Sequence, residues 1–225
     1  MKRLIMFDYD GVIADSYDIF TEVFLHVCRK CGVKRLHTHR QLMRLFDDNL
    51  FEGMRNSGID APVIDRIVAA LDAEIAASVD TVGLFEGMAD TIKTIARHDD
   101  IFIITSNVSS VTDRVLKKNG VDCFRAVLGA DIQQSKFKKI KQTIARCGDR
   151  PAYYVGDTLG DMKEGRRAGV QTIAVTWGWH DAARLQRGAP DFMVTTPREL
   201  CVLLSAAEPR GGVDTSSTRG QVTVA

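Results

Sequence analysis

Apolar residues along the chain fall into short unbroken runs, each stopped by polar or turn-forming residues: Leu4–Phe7, Ile101–Thr105, Ala126–Leu128, Ala152–Val155, Thr172–Thr176 and Phe192–Val194. Runs this short that do not alternate with polar residues predict strands covered on both faces. Between several of them, apolar positions recur at the spacing of amphipathic helices, over Met88–Arg97, Ser110–Asn119, Phe137–Cys147, Asp161–Ala168 and Pro197–Leu204. Gly120 after Asn119 and Gly169 after Ala168 stand where helix C-caps belong. Strands alternating with helices predict an α/β fold built of βαβ units, with a mostly parallel sheet and helices on both of its faces. In such sheets chemistry gathers at the carboxyl ends of the strands. That rule singles out Asp8, Thr105 and Asp157, each of which closes or follows an apolar run.

The alternation breaks between Ser16 and Val82. That stretch has helical patterns at Ser16–Cys31, Arg40–Arg44, Leu50–Ser57 and Pro62–Ser78, and no strand. The expected organisation is therefore a core from residues 1–15 and 83–207, a small all-helical domain over 16–82, and a disordered Gly/Ser/Thr/Arg-rich tail over 208–225.

Composition narrows the function. The chain has 225 residues, 45% hydrophobic and 26% charged, with a formal net charge of +1. No basic field asks for nucleic acid or an anionic membrane. The apolar run after Met1-Lys2-Arg3 stops at Asp8, too short for a signal peptide. No stretch has the eighteen or so apolar residues of a membrane span. A soluble, cytoplasmic protein is expected, without nucleic-acid or membrane partners; monomer and homodimer are both compatible with these residues.

Five cysteines and no secretory signal point to reduced thiols. Cys28 and Cys31 form a CxxC with His26, His37 and His39 nearby, which raises the thought of zinc. Phe20, Phe24, Val27, Cys28 and Cys31 also trace one face of a helix, and the core reading is preferred.

Asp8 and Asp10 flank Tyr9 at the end of the first strand. Alternation points both carboxylates one way and Tyr9 the other. A second acidic pair, Asp157 and Asp161, lies in GDTLGD after the run AYYV, with Asp161 in the first turn of a helix. Oxygen-only ligands at adjacent strand ends fit a hard divalent cation, Mg²⁺ rather than zinc, which would also relieve the repulsion within each pair. A carboxylate beside a metal, with another two residues on, fits a nucleophile and a general acid/base. Thr105, Ser106 and Asn107 bring hydroxyl and amide groups to a strand end. Lys136 opens a helix and can neutralise negative charge, whereas Lys138, Lys139 and Lys141 read as its solvated face. Arg40, Arg44 and Arg55 also read as solvated, and Trp177 and Trp179 as core and rim.

DYDGVIADS, IITSN, the SK of QSKFKKI and GDTLGD resemble, in order, the four motifs of the haloacid dehalogenase superfamily, over about Lys2 to Leu204. The resemblance implies a Rossmann-like core and makes the helical insert a cap. It implies that Asp8 attacks phosphorus and forms an aspartyl-phosphate. Asp10 would protonate the leaving group and then activate water. Thr105, Ser106, Asn107, Lys136 and Gly11 would hold the phosphoryl group. Mg²⁺ would be bound by Asp8, the backbone carbonyl of Asp10 and Asp157, with Asp161 in or near that shell. An acid at Asp10 disfavours dehalogenation, since halide needs no proton. What remains resembles phosphoglycolate-phosphatase-like enzymes acting on a small phosphorylated metabolite. A β-phosphoglucomutase-like mutase and a non-catalytic phospho-ligand sensor are the alternatives.

Overall fold

A computed structural model describes residues 2–78 and 81–206. Strand β1 (Leu4–Phe7) is wholly buried, as its four apolar side chains require. It pairs in parallel with β4 (Asp100–Ile104) on one side and β6 (Ala152–Gly156) on the other. Phe7 stands opposite both Ile103 and Val155. Beyond β4 lies β5 (Ala126–Leu128), and beyond β6 lie β7 (Gln171–Val175) and β8 (Phe192–Val194). The result is a six-stranded parallel sheet of order β5-β4-β1-β6-β7-β8. A two-residue antiparallel ribbon, β2 (Ala14–Asp15) with β3 (Gly83–Leu84), carries the chain into and out of the helical insert.

Alternation along the strands sends Ile5, Phe7, Ile101, Ile103 and Val155 to one face. There they meet α5 (Met88–Ala96), α6 (Ser109–Lys118) and α10 (Pro197–Ala206) through Ile92, Val115 and Leu200. Met6, Ile104 and Tyr154 face the other way, onto α7 (Lys136–Cys147) and α8 (Leu159–Ala168). The short α9 (Ala182–Gln186), N-capped by Asp181, was not foreseen; it seats Leu185 against Met162 and Ala174. Helices α7 and α8 begin earlier than periodicity predicts because the Ser135 and Thr158 side chains accept N–H groups of their first turns. Gly120 and Gly169 adopt φ of +68° and +79°, the left-handed cap conformation expected of them.

The insert holds α1 (Tyr17–Lys30), α2 (His39–Met43), a 3₁₀ turn (Arg44–Asp47), α3 (Leu50–Asn56) and α4 (Ala61–Ser78). Phe24, Val27, Cys28, Leu42, Met54 and Ile67 give it a core of its own. Cys28 belongs to that core, and burial pushes its thiol up to about 12, the reverse of what a zinc ligand needs. No helix among the described residues is long and apolar enough to cross a membrane. The predicted tail over 208–225 lies outside the described residues.

Candidate active site

Because β4, β1 and β6 are neighbours, the residues that follow them meet at one edge of the sheet. Asp8 leaves β1 with its N–H still donated to Val155 O at 2.8 Å. Thr105 follows β4, and Asp157 follows β6. Asp8, Asp157 and Asp161 are 5%, 0% and 1% exposed, and each offers a carboxylate oxygen within 4.8 Å of the others. Among the described residues the lysine bonded to them is Lys136, from the first turn of α7: its Nζ donates to Asp8 Oδ2 at 2.6 Å and to Asp161 Oδ1 at 2.7 Å. With Asp157 unpaired by any lysine, three carboxylates share one ammonium, and Asp10 adds a fourth carboxylate nearby. The surplus of negative charge has to be offset by a cation or a proton.

The surroundings of each carboxylate divide the work. Asp161 is saturated. Its Oδ1 accepts from Lys136 and from the Tyr154 hydroxyl at 2.9 Å, and its Oδ2 from Thr158 N at 3.1 Å and Thr158 Oγ1 at 2.6 Å. Burial raises its proton affinity, but Lys136, Thr158 and Tyr154 outweigh burial and hold it below the usual carboxylate range. Asp157 is the opposite case. Its Oδ2 accepts from Trp179 N at 2.8 Å, while its Oδ1 is buried with no partner among the described residues. Burial, then the charges of Asp161 and Asp8, push its pKa well up. Burial likewise lifts Asp8 to about 7 against the pull of Lys136. For Lys136 burial works against protonation, yet Asp161 and Asp8 prevail and hold it charged. An orphaned oxygen on Asp157 and all-oxygen donors fit a hard divalent cation, with Asp8 and Asp157 as ligands and Asp161 orienting Lys136.

Asp10 turns its carboxylate away from that trio. Its Oδ1 accepts from Ser16 Oγ at 2.8 Å and its Oδ2 from Asn107 Nδ2 at 3.4 Å. Burial raises its pKa, which favours a group that must hold a proton until it is needed. Tyr9 points the other way, into the core, as alternation predicts. Thr105, Ser106 and Asn107 line the cavity above the carboxylates together with Lys136. Gly11 plays a spatial part: its N–H is engaged by Ala14 O at 3.0 Å, and its φ is +75°. A Cβ there would overlap Asp157 Oδ2.

One reading from the sequence is overturned. Lys139 is not on the solvated face of α7: it is 0% exposed, and its Nζ donates to the backbone oxygen of Thr105. Burial, aided by the charge of Lys136, lowers it to about 7. It lies three residues after Lys136 and one before buried Ile140, so the periodicity of α7 already placed it on the inner face. Lys138 and Lys141 are exposed, as expected.

The roof of the cavity comes from the insert and from a loop after β7. Phe20 and Phe46 pack on Trp179 with ring centroids 4.9 Å away in both cases. The insert is latched to the core there. His180 accepts Leu159 N–H on Nδ1 at 3.0 Å, so its Nε2 carries the proton and donates to Met43 O at 3.1 Å. Burial depresses the His180 pKa and keeps the ring neutral. Arg184 Nε meets Asp47 Oδ1 at 2.7 Å, Lys163 Nζ meets Asp48 Oδ1 at 2.7 Å, and Asn49 Nδ2 meets Glu164 Oε2 at 3.1 Å. Sequence reasoning left Trp179, His180 and Glu164 out of the site. The position of TWGWH after a strand would have flagged the first two, but nothing local marks Glu164.

The family profile of haloacid dehalogenase-like hydrolases matches residues 5–175. The chain is 26% identical over 202 residues to a phosphoglycolate phosphatase of Synechococcus elongatus, covering 88% of this chain and 95% of that protein. It is also 26% identical over 210 residues to pyrophosphatase PpaX of Anoxybacillus flavithermus, covering 89% and 95%. A haloacid dehalogenase-like hydrolase from Streptococcus pneumoniae superposes with a TM-score of 0.74 at 23% identity, over 90% of this chain and 98% of that one. A hydrolase from Pseudomonas syringae does so with 0.73 at 16%, over 92% and 99%. With the family profile spanning most of its length and the parallel sheet delivering the motif residues to one edge, this chain belongs to the haloacid dehalogenase-like hydrolases.

Proposed function

We propose that the protein is a Mg²⁺-dependent phosphatase that hydrolyses a small phosphomonoester in two steps through an aspartyl-phosphate on Asp8. The observation that carries this reading is the buried cluster of Asp8, Asp157 and Asp161 around Lys136, with the separately bonded Asp10 beside it. Lys136 and the Tyr9 N–H, which donates to Asp8 Oδ1 at 2.8 Å, hold the Asp8 carboxylate in one orientation. Asp8 forms a bond to phosphorus as the bond from phosphorus to the alcohol oxygen breaks, and Asp10 delivers a proton to that oxygen. Asp10, now a carboxylate, takes a proton from the water that attacks the aspartyl-phosphate. Inorganic phosphate leaves, and Asp8 and Asp10 return to their starting states. Lys136, with Thr105, Ser106 and Asn107 above it, faces the charge that develops on the phosphoryl oxygens. Asp8, Asp157 and the backbone carbonyl of Asp10 would hold Mg²⁺, which when bound supplies further neutralisation of that charge. The roof limits the access of bulk water to the acyl phosphate.

The resemblance offers phosphoglycolate or a sugar phosphate as substrate, and the names of relatives offer phosphoglycolate and pyrophosphate. The test is inorganic phosphate release from a panel of phosphomonoesters with Mg²⁺, comparing wild type with Asp8→Asn. The variant is expected to fold and to lose turnover. Mg²⁺-dependent release persisting in it at more than about a hundredth of the wild-type rate would end the covalent mechanism. Conversion of a sugar phosphate to its isomer without release would instead favour a mutase.

A further inference from the structure

The two halves of the cavity differ in chemistry. Every charged residue among its described lining, Asp8, Asp10 and Lys136, belongs to the floor, as do Thr105, Ser106 and Asn107. The insert contributes only apolar side chains, among them Phe20, Phe46, Phe51, Leu71 and Ile75, completed by Trp179. The insert's arginines Arg40, Arg44 and Arg55 are exposed and do not line it. A second anionic group on a substrate, such as a carboxylate or another phosphate, would face that roof without a cationic partner and lose its hydration. A hydrocarbon there would instead gain by leaving water. The latch through Met43, Asp47, Asp48 and Asn49 brackets Phe46 and ends next to Leu50, which ties this part of the roof to the core.

Resting on the phosphatase reading above, we propose that the substrate is the phosphomonoester of an apolar alcohol, alkyl or aryl. Its phosphate lies on the charged floor and its hydrocarbon against the Phe20, Phe46 and Trp179 roof. Phosphoglycolate and pyrophosphate, each with a second anionic group, are then poor substrates of this chain.

The experiment compares kcat/KM for methyl, butyl, hexyl and benzyl phosphate with Mg²⁺, beside phosphoglycolate and pyrophosphate. The primary alkyl esters have similar leaving groups, so their trend reports contact rather than reactivity. Each methylene covered by the roof is worth about fourfold, so butyl should exceed methyl phosphate by about sixtyfold, with phosphoglycolate below butyl phosphate. Phe46→Ala should shrink the hexyl advantage over methyl. Less than about threefold between methyl and hexyl phosphate, or a higher value for phosphoglycolate or pyrophosphate, overturns the proposal and leaves the phosphatase reading standing. If no ester releases phosphate, the phosphatase reading fails. Calorimetry with non-hydrolysable methyl-, butyl- and hexylphosphonate then reads the roof directly. Affinity that rises with chain length supports the apolar roof, and affinity independent of it overturns the proposal.

Discussion

Replacing Gly11 by alanine tests whether the turn after β1 exists to leave room for Asp157. Gly11 has φ +75°, and an added Cβ would fall on Asp157 Oδ2, 2.7 Å from its Cγ and 2.8 Å from Trp179 Cδ1. The left-handed backbone costs a Cβ about 1–2 kcal/mol. Asp157 cannot simply swing aside, because it is fully buried and its Oδ2 holds the Trp179 N–H at 2.8 Å. Overpacking adds about 1–3 kcal/mol, and a lost hydrogen bond to the metal-free, protonated carboxyl about 0.5–1.5 kcal/mol. The total is about 2.5–6.5 kcal/mol, and for a chain of this size each kcal/mol moves Tm by about 2–4 °C. Gly32→Ala is the control, since Gly32 has φ +79° and nothing within 4 Å of the added Cβ. It carries the backbone cost alone, and the stiffening of the unfolded chain is common to both variants. Thermal unfolding in EDTA should place Gly11→Ala at least about 3 °C below Gly32→Ala. Calorimetry should show weakened Mg²⁺ binding in Gly11→Ala only. If the two variants melt within about 2 °C of each other and bind Mg²⁺ alike, Gly11 does not make space for Asp157 and the reasoning fails.

Two other predictions concern charge. Lys136→Met removes the ammonium bonded to Asp8 and Asp161, and should destabilise the metal-free protein by about 3–5 kcal/mol; denaturant unfolding should show saturating Mg²⁺ recovering part of the loss, and an unchanged midpoint would contradict the pairing. Asp8 is raised to about 7 and Asp157 is raised too, so the stability these groups contribute without metal is fully present below the ordinary carboxylate pKa and is lost as pH rises through their raised values, about 7 for Asp8. Asp161 is shifted the other way and acts below that window. In EDTA, Tm should fall from about pH 4 to about pH 7, and Mg²⁺ affinity should climb over the same range as protons leave; a flat affinity would show that Asp8 and Asp157 are not the ligands.

Some of this molecule could be read locally. Leu4–Phe7 reads as a strand covered on both sides, as it is in the structure, and two aspartates two positions apart in extended chain share a face. The early starts of α7 and α8 have one cause: Ser135 and Thr158 extend these helices by capping bonds that hydrophobic periodicity does not register. The misreading of Lys139 has a different origin. A lysine on a helix is usually solvated, and only the packing of α7 beneath β4 puts the Thr105 carbonyl within reach of its Nζ.

Local patterning along the chain sets the strand–helix alternation, the place of the helical insert, and which carboxylates, hydroxyls and lysine reach strand ends and helix starts. Spacing of side chains along one element depends on neighbours in the chain, and that information is local. The tertiary structure decided that β4, β1 and β6 lie side by side, so that Asp8, Thr105 and Asp157 meet. It also decided that Asp161 is saturated while Asp157 keeps a bare oxygen, and that an apolar wall latched by His180, Arg184 and Glu164 closes over the charged floor. These depend on contacts between residues more than 140 positions apart, which no local pattern encodes.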